Sequence, residues 1–274
     1  MGEDCMKILK PLKYKDELLV GSHCGDTFRE LVDLWEEAGY CTVENSPNDF
    51  VWVDKVGGTI LYDYPRIDDR QIPPFEHGVF GNFVPDHERC VPWTFWARAP
   101  RLLESTRQRG IKTYEERDIE SIFLGKIENG IQNENRKNQD WSTAGVELFN
   151  CPVDKPGPDY YRYTQQEYLD LVGRSKFGLC LAGYGPKCNR EIELLGLGSV
   201  PIFAPEVDNT YHEPLVEGLH FLRVDSPEQV KEKIDSTTKE QWIEMHEAGQ
   251  DWFDRNASVH GSFNLTKKIV EGLK

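Results

Sequence analysis

The sequence predicts an α/β fold made of strand–helix–strand units, and three observations carry that prediction. Residues 175–204, SKFGLCLAGYGPKCNREIELLGLGSVPIFA, run as a short apolar strand, a glycine turn, one helix and a second apolar strand. Residues 121–125, SIFLG, start in the same way, with a strand that ends on glycine ahead of a polar, basic loop. Residues 27–38 carry apolar side chains at helical spacing between strand candidates. Short apolar runs that alternate with helices point to buried, mostly parallel strands.

The elements follow in order. Residues 18–21 are the first strand candidate, and residues 22–26 a polar turn. Phe28, Leu31, Val32, Trp35 and Ala38 then line one face of a helix over 27–38. Thr27 and Glu30 have the spacing of a capping box, and Gly39 suits the helix end. Further strand candidates lie at 41–43, 50–53 and 59–62, with few helices between them, which describes a small, irregular Rossmann-type unit. Residues 63–100, dense in Pro, Gly, aromatic and charged side chains, read as one long loop of the kind that often carries function. Its rings beside Asp and Glu suit a sugar, because rings pack on C–H faces while carboxylates accept hydroxyl protons. The same composition fits a packed loop whose Trp and Phe are core.

A basic helix over 101–110 and a charged linker over 111–120 lead to a second unit, which places the domains at 1–117 and 118–274. The second unit is expected to hold strands at 121–125, 177–181, 200–203 and 221–224. Its helices are expected at 164–173, 187–197, 227–234, 239–256 and 263–273.

The 274 residues carry a net charge of −15, which argues against a nucleic-acid backbone as partner and gives clustered Lys and Arg diagnostic weight. No run approaches the roughly 18 apolar residues of a membrane span, and the N-terminus has no apolar signal core. The seven cysteines lack metal-type spacing and read as reduced, buried thiols, so a soluble, cytosolic chain is expected.

In a helix over 187–197, Lys187, Arg190 and Glu193 share one face, with Ile192 and Leu195 turned to the sheet. A helix N-terminus behind the turn Gly183-Tyr184-Gly185 attracts phosphate, and two cations strengthen that attraction. Glu193 is placed to accept hydrogen bonds from ribose hydroxyls. The set reads as a nucleoside-diphosphate cradle, and it equally fits a solvated face with an i,i+3 ion pair. Arg136, in the basic loop after the 121–125 strand, is a second candidate phosphate contact. Asp208, in the loop over 205–218, lies where α/β folds place ligands, beyond the C-terminal end of a strand.

Ser175-Lys176-Phe177, Gly183, Arg190, Glu193, Gly198 and Pro201 resemble the donor-binding segment of exostosin-like glycosyltransferases, glycosyltransferase family 47, over about residues 121–225. The small residues that the family has at the positions of Lys187 and Asn189 are replaced here. The resemblance implies a GT-B fold, two Rossmann-like domains facing a cleft with the last helix crossing back to the first. It implies a UDP-sugar donor, a glycan acceptor and a single inverting displacement. Likeness to small soluble exostosin-like proteins of large algal viruses makes xylose the expected sugar and a microbial or viral source the expected origin.

No Asp-x-Asp pair is placed to hold a divalent metal. The expectation is therefore no metal and no cofactor, with helix N-terminus and cations stabilising the leaving diphosphate. The acceptor hydroxyl needs a general base. His23 and Asp26, in the turn after the first strand, are candidates. Asp68, Asp69, Glu76, His77 and Asp86 in the long loop are others, and no motif chooses among them. The same cradle would serve a GT-B-like UDP-sugar epimerase or phosphorylase. A non-catalytic carbohydrate-binding protein would keep the aromatic rings and need no cradle.

Overall fold

The computed structural model describes residues 5–11, 23–46, 50–55, 57–62, 75–125, 127, 130–149, 163–183 and 185–273, with the backbone alone at 23–27, 130–131 and 148–149. The chain divides into two compact units. One comprises Met1–Arg101, Thr210–Pro214 and Asp254–Lys274; the other comprises Leu102–Asn209 and Leu215–Phe253. As expected, both units are α/β, and the last helix belongs to the first.

The first unit holds β1 (Met6–Lys10), α1 (His23–Glu37), β2 (Cys41–Asn45), β3 (Val51–Val53), β4 (Thr59–Tyr62), β5 (His77–Phe80) and β6 (Cys90–Pro92). Its sheet has the order β2-β1-β3-β4-β5-β6, and β3 alone runs against its neighbours. The apolar stripe of α1 is buried as its spacing requires: Phe28, Leu31, Val32 and Trp35 are all closed to solvent. Trp35 donates from Nε1 to Ser262 Oγ at 3.0 Å, and Trp93 donates to Thr266 Oγ1 at 2.8 Å. These bonds let large apolar rings enter the core with their polar N–H groups satisfied. Both acceptors lie on the last helix, α8 (Val259–Gly272), which is how that helix is tied into this unit.

Three readings of this half change. The first strand is β1, over MKILK, and the candidate at 18–21 lies outside the described residues. Helix α1 begins at His23, so residues 23–26 are its first turn rather than a loop, and Thr27 is too far inside to cap it. The expected long loop contains β5 and β6, and Phe75, Phe80, Trp93, Phe95 and Trp96 are core. Phe83 is the aromatic side chain left 40% exposed among the described residues of that stretch.

The second unit receives the chain from α2 (Pro100–Gln108) and continues through β7 (Ile119–Leu124), α3 (Gly130–Asn135), β8 (Glu147–Phe149), α4 (Gln165–Arg174), β9 (Ser175–Cys180), α5 (Asn189–Gly196), β10 (Val200–Phe203), β11 (Leu222–Arg223), α6 (Glu228–Ser236) and most of α7 (Lys239–Asn256). Its five strands are all parallel, in the order β11-β10-β9-β7-β8. Thr164 caps α4 in a reciprocal capping box with Glu167. Gly198, at φ +72°, ends the turn after α5 as the sequence anticipates. Helix α5 starts two residues later than expected, because Cys188 is extended and Lys187 belongs to the preceding turn. It is also packed on every side, with residues 191–196 all buried. Gly178 makes this packing possible: a Cβ there would lie 2.2 Å from Leu194 Cδ2. Among the described residues no helix is long and apolar enough to cross a membrane.

Candidate functional site

The order of the second sheet places its first strand, β7, between the second and the third. The chain therefore reverses direction across the sheet between β7 and β9. In open parallel sheets the crevice at such a reversal, beyond the carboxyl ends of the strands, is where ligands bind. Three connections leave the sheet at that edge, after β7, after β9 and after β10. Each delivers one of the cations or acids singled out in the sequence.

Arg190, on the first turn of α5, reaches the end of β7. Its Nη2 donates to the Leu124 carbonyl at 2.7 Å, and its guanidinium lies 4.4 Å from the centroid of the Phe123 ring. Nη2 is the one nitrogen of this guanidinium with a hydrogen-bond partner among the described residues, and Nε is buried. A buried N–H without an acceptor is costly, so its presence marks a place where an anion would be favoured.

Arg136, just past α3, is buried and clamps the two neighbouring loops together. It donates to the Ala182 carbonyl at 3.0 Å, the Ile127 carbonyl at 2.5 Å and Gln132 Oε1 at 3.2 Å. Burial first, and the charge of Arg190 second, push it down to about 10, so it stays charged at neutral pH. Asn135 adds a bond from Nδ2 to the Gly183 carbonyl at 2.6 Å. Lys137 and Asn138, which follow, both take left-handed backbone (φ 53° and 52°). Lys137 then pairs with Glu206 at 2.7 Å, joining the β7 loop to the β10 loop.

Lys187 is 2% exposed, and its Nζ lies 3.8 Å from Asp208 Oδ2. Burial pushes it down to about 8, opposed by Asp208 and then Glu191. The backbone N–H of Asp208 donates to the Pro186 carbonyl at 2.9 Å, so Asp208 holds the Lys187 turn by main chain as well as charge. Glu191, missed in the sequence, accepts a hydrogen bond from the Cys188 N–H at the start of α5. It is fully buried, and burial pushes it up to about 7, against the pull of Arg190. Glu193 is 2% exposed and accepts the Tyr168 phenol at 2.6 Å on Oε2.

Arg136, Lys187, Arg190, Gly183, Gly185 and Asp208 are thus gathered on the C-terminal edge of one sheet. Gly183 is tight: a Cβ there would lie 3.1 Å from Cys188 Sγ. Tyr184 lies outside the described residues. The shared helix face expected for Lys187, Arg190 and Glu193 does not form, because Lys187 precedes the helix and Glu193 is enclosed by α4. Among the described residues no three His, Cys, Asp or Glu side chains are grouped as a metal ion would require.

The base candidates separate within the first unit. His23 and Asp26 lie in the first turn of α1, whose other end feeds β2 directly. The parallel pairing of β1 and β2 therefore puts this first turn toward the C-terminal edge of the sheet. His77 is the first residue of β5, at the strand's N-terminal end, and Glu76 beside it is exposed and paired with Lys55. Asp68 and Asp69 lie outside the described residues.

No family model matches the chain, and no curated protein matches it. Solved structures do. The chain is similar to an α1,3-fucosyltransferase crystallised with GDP-fucose, at 13% identity and a TM-score of 0.49, over 99% of this chain and 93% of that one. With the GDP complex of an α1,3-fucosyltransferase the identity is 14% and the TM-score 0.47, over 99% and 92%. The C-terminal domain of a group 1 family glycosyl transferase, LpcC of Francisella tularensis, is similar over 59% of this chain and 92% of its own, at 14% identity and a TM-score of 0.34.

Proposed function

We propose that this chain is a glycosyltransferase that holds a nucleotide sugar by its diphosphate at the carboxyl ends of β7 and β9. Arg190 carries the reading: a guanidinium fixed on Phe123 and the Leu124 carbonyl, with a buried, unpaired Nε at the reversal point of a parallel sheet. Arg136 and Lys187 stand beside it on the adjoining loops, so the charge that develops on a leaving diphosphate meets fixed cations. That supply of charge supports a reaction without a metal. The finer reading, which the family 47 resemblance supports, is a UDP-sugar, with xylose as the sugar, transferred with inversion to a glycan hydroxyl. His23 or Asp26 is the base in this reading, because ligands gather at carboxyl edges and these residues lie toward that edge while His77 does not.

Calorimetric titration with UDP and with GDP tests it. UDP should bind, and Arg190→Met and Arg136→Met should each weaken binding by about tenfold or more, as expected for loss of a charge-assisted hydrogen bond. Unchanged affinity in both variants would remove the cradle. Preference for GDP would keep the cradle and reject the uracil nucleotide. A donor panel with glycan acceptors then reads transfer, and activity that depends on added manganese would reject the metal-free mechanism.

A further inference from the structure

We infer that Glu193 is a positioning residue, clasped by Tyr168 so that α5 presents Arg190 to the diphosphate, and that it does not bind the ribose. The inference rests on the nucleotide-binding reading above and refines it.

Three observations lead there. Glu193 is 2% exposed, and its Oε2 is occupied by the Tyr168 phenol at 2.6 Å, so a ribose hydroxyl would have to displace a resident donor. The phenol remains that donor, because burial and the neighbouring Glu193 carboxylate hold it well above its usual range. Second, Glu193 lies one helical turn from Arg190 on α5, so a bond from Tyr168 of α4 to Glu193 acts on the stretch of helix that carries the guanidinium. The phenol therefore sits where it can fix that side of the helix relative to α4. Third, the far side of Arg190 is fixed by Phe123 at 4.4 Å and the Leu124 carbonyl at 2.7 Å. The guanidinium is thus fixed to a strand end, and the residue one helical turn further along α5 is held by Tyr168. A carboxylate buried without a donor would be costly, and the phenol removes that cost while rigidifying the junction of α4 and α5.

The test compares UDP with 2′-deoxy-UDP on the full chain and on Tyr168→Phe, Glu193→Gln and Arg190→Ala, alone and combined. Tyr168→Phe should weaken both nucleotides by the same factor, about tenfold, and Glu193→Gln by less, because its amide oxygen still accepts the phenol. Added to Arg190→Ala, Tyr168→Phe should cause no further loss, since its effect passes through that guanidinium. Collapse of the gap between UDP and 2′-deoxy-UDP in Glu193→Gln would make Glu193 a ribose ligand and overturn the inference. Additive losses in the double variant, wild-type affinity in both single variants, or tighter binding by Tyr168→Phe would overturn it as well. A wild-type chain that binds neither UDP nor GDP would overturn the nucleotide reading itself, and this inference with it.

Discussion

At the N-terminal edge of the second sheet, Arg117 is 3% exposed and every nitrogen of its guanidinium has an acceptor. Nε donates to Lys112 O at 3.1 Å, Nη1 to Ser175 O at 2.6 Å and Ser199 Oγ at 2.9 Å, and Nη2 to Leu197 O at 2.7 Å. Ser175 and Leu197 are the C-caps of α4 and α5, so the cation closes the negative ends of two helices at once. At the C-terminal edge of the same sheet, Arg190 has one such bond and a buried Nε without one. A saturated buried cation holds a fold together. An unsaturated one is retained at a cost that an anionic ligand would offset.

The largest expected effect separates the two directly. Arg117→Met removes the donor from four acceptors and should lower unfolding free energy by about 3 kcal/mol or more, read by urea denaturation. Arg190→Met should cost about 1 kcal/mol or less, because the lost carbonyl bond and ring contact are partly balanced by removing an orphaned N–H. Nucleotide affinity should show the reverse order among folded variants. Equal destabilisation by the two substitutions would erase the contrast between the edges.

Two glycines sharpen it. Gly198 has φ +72°, and a Cβ there would lie 2.4 Å from His246 Cε1 and 3.1 Å from Arg117 Nη2. Gly198→Ala should cost about 2–3 kcal/mol through left-handed strain and the clash, and leave nucleotide affinity of the folded protein unchanged. Gly178→Ala should cost about 1–3 kcal/mol by pressing Leu194, and should weaken binding too, since α5 carries Arg190. If Gly178→Ala left affinity intact, the seating of α5 on β9 would not be what aims the guanidinium.

Legibility in the sequence followed the range of the interactions. Residues 239–256 read as a helix to the residue, and β10 as a strand over 200–203, because period and turn signals are local. Strand β1 does not stand out in the sequence because Lys7 and Lys10 interrupt its apolar pattern, although Lys10 is buried and pairs with Asp33 of α1. Strands β5 and β6 are only four and three residues long, too short to stand out in a run rich in Pro and Gly. Arg117 sits in a charged stretch that reads as a linker, and its acceptors at Ser175, Leu197 and Ser199 are 58 to 82 residues away. Lys187, Arg190 and Glu193 read in the sequence as one polar helix face, because polar spacing looks the same whether the groups meet solvent or, as for Lys187 and Glu193 here, are buried.

The smallest effect is a dependence on pH that should belong to one edge alone. Lys187 is pushed down to about 8 by burial, opposed by Asp208 and then Glu191, while an unfolded lysine titrates near the ordinary 10.5. Between these values the unfolded chain binds the proton and the native chain has lost it, so this group makes stability rise with pH across that window. Glu191 acts with the opposite sign: burial lifts it to about 7 from 4.5, the native chain keeps a proton the unfolded chain has released, and stability falls as pH climbs between them. Glu191→Gln should therefore lose less stability than wild type between these two values. Under the proposed function, nucleotide binding should follow the charge of Lys187. UDP affinity should fall by up to about tenfold from roughly pH 7 to pH 9 as that charge is lost, and Lys187→Met should bind more weakly at the lower pH with a flat profile. At the opposite edge Arg117, at about 10, stays charged and His246, lowered mainly by burial, stays neutral across that range. A flat wild-type profile would leave Arg136 and Arg190 as the binding charge and make Lys187 a buried partner of Asp208.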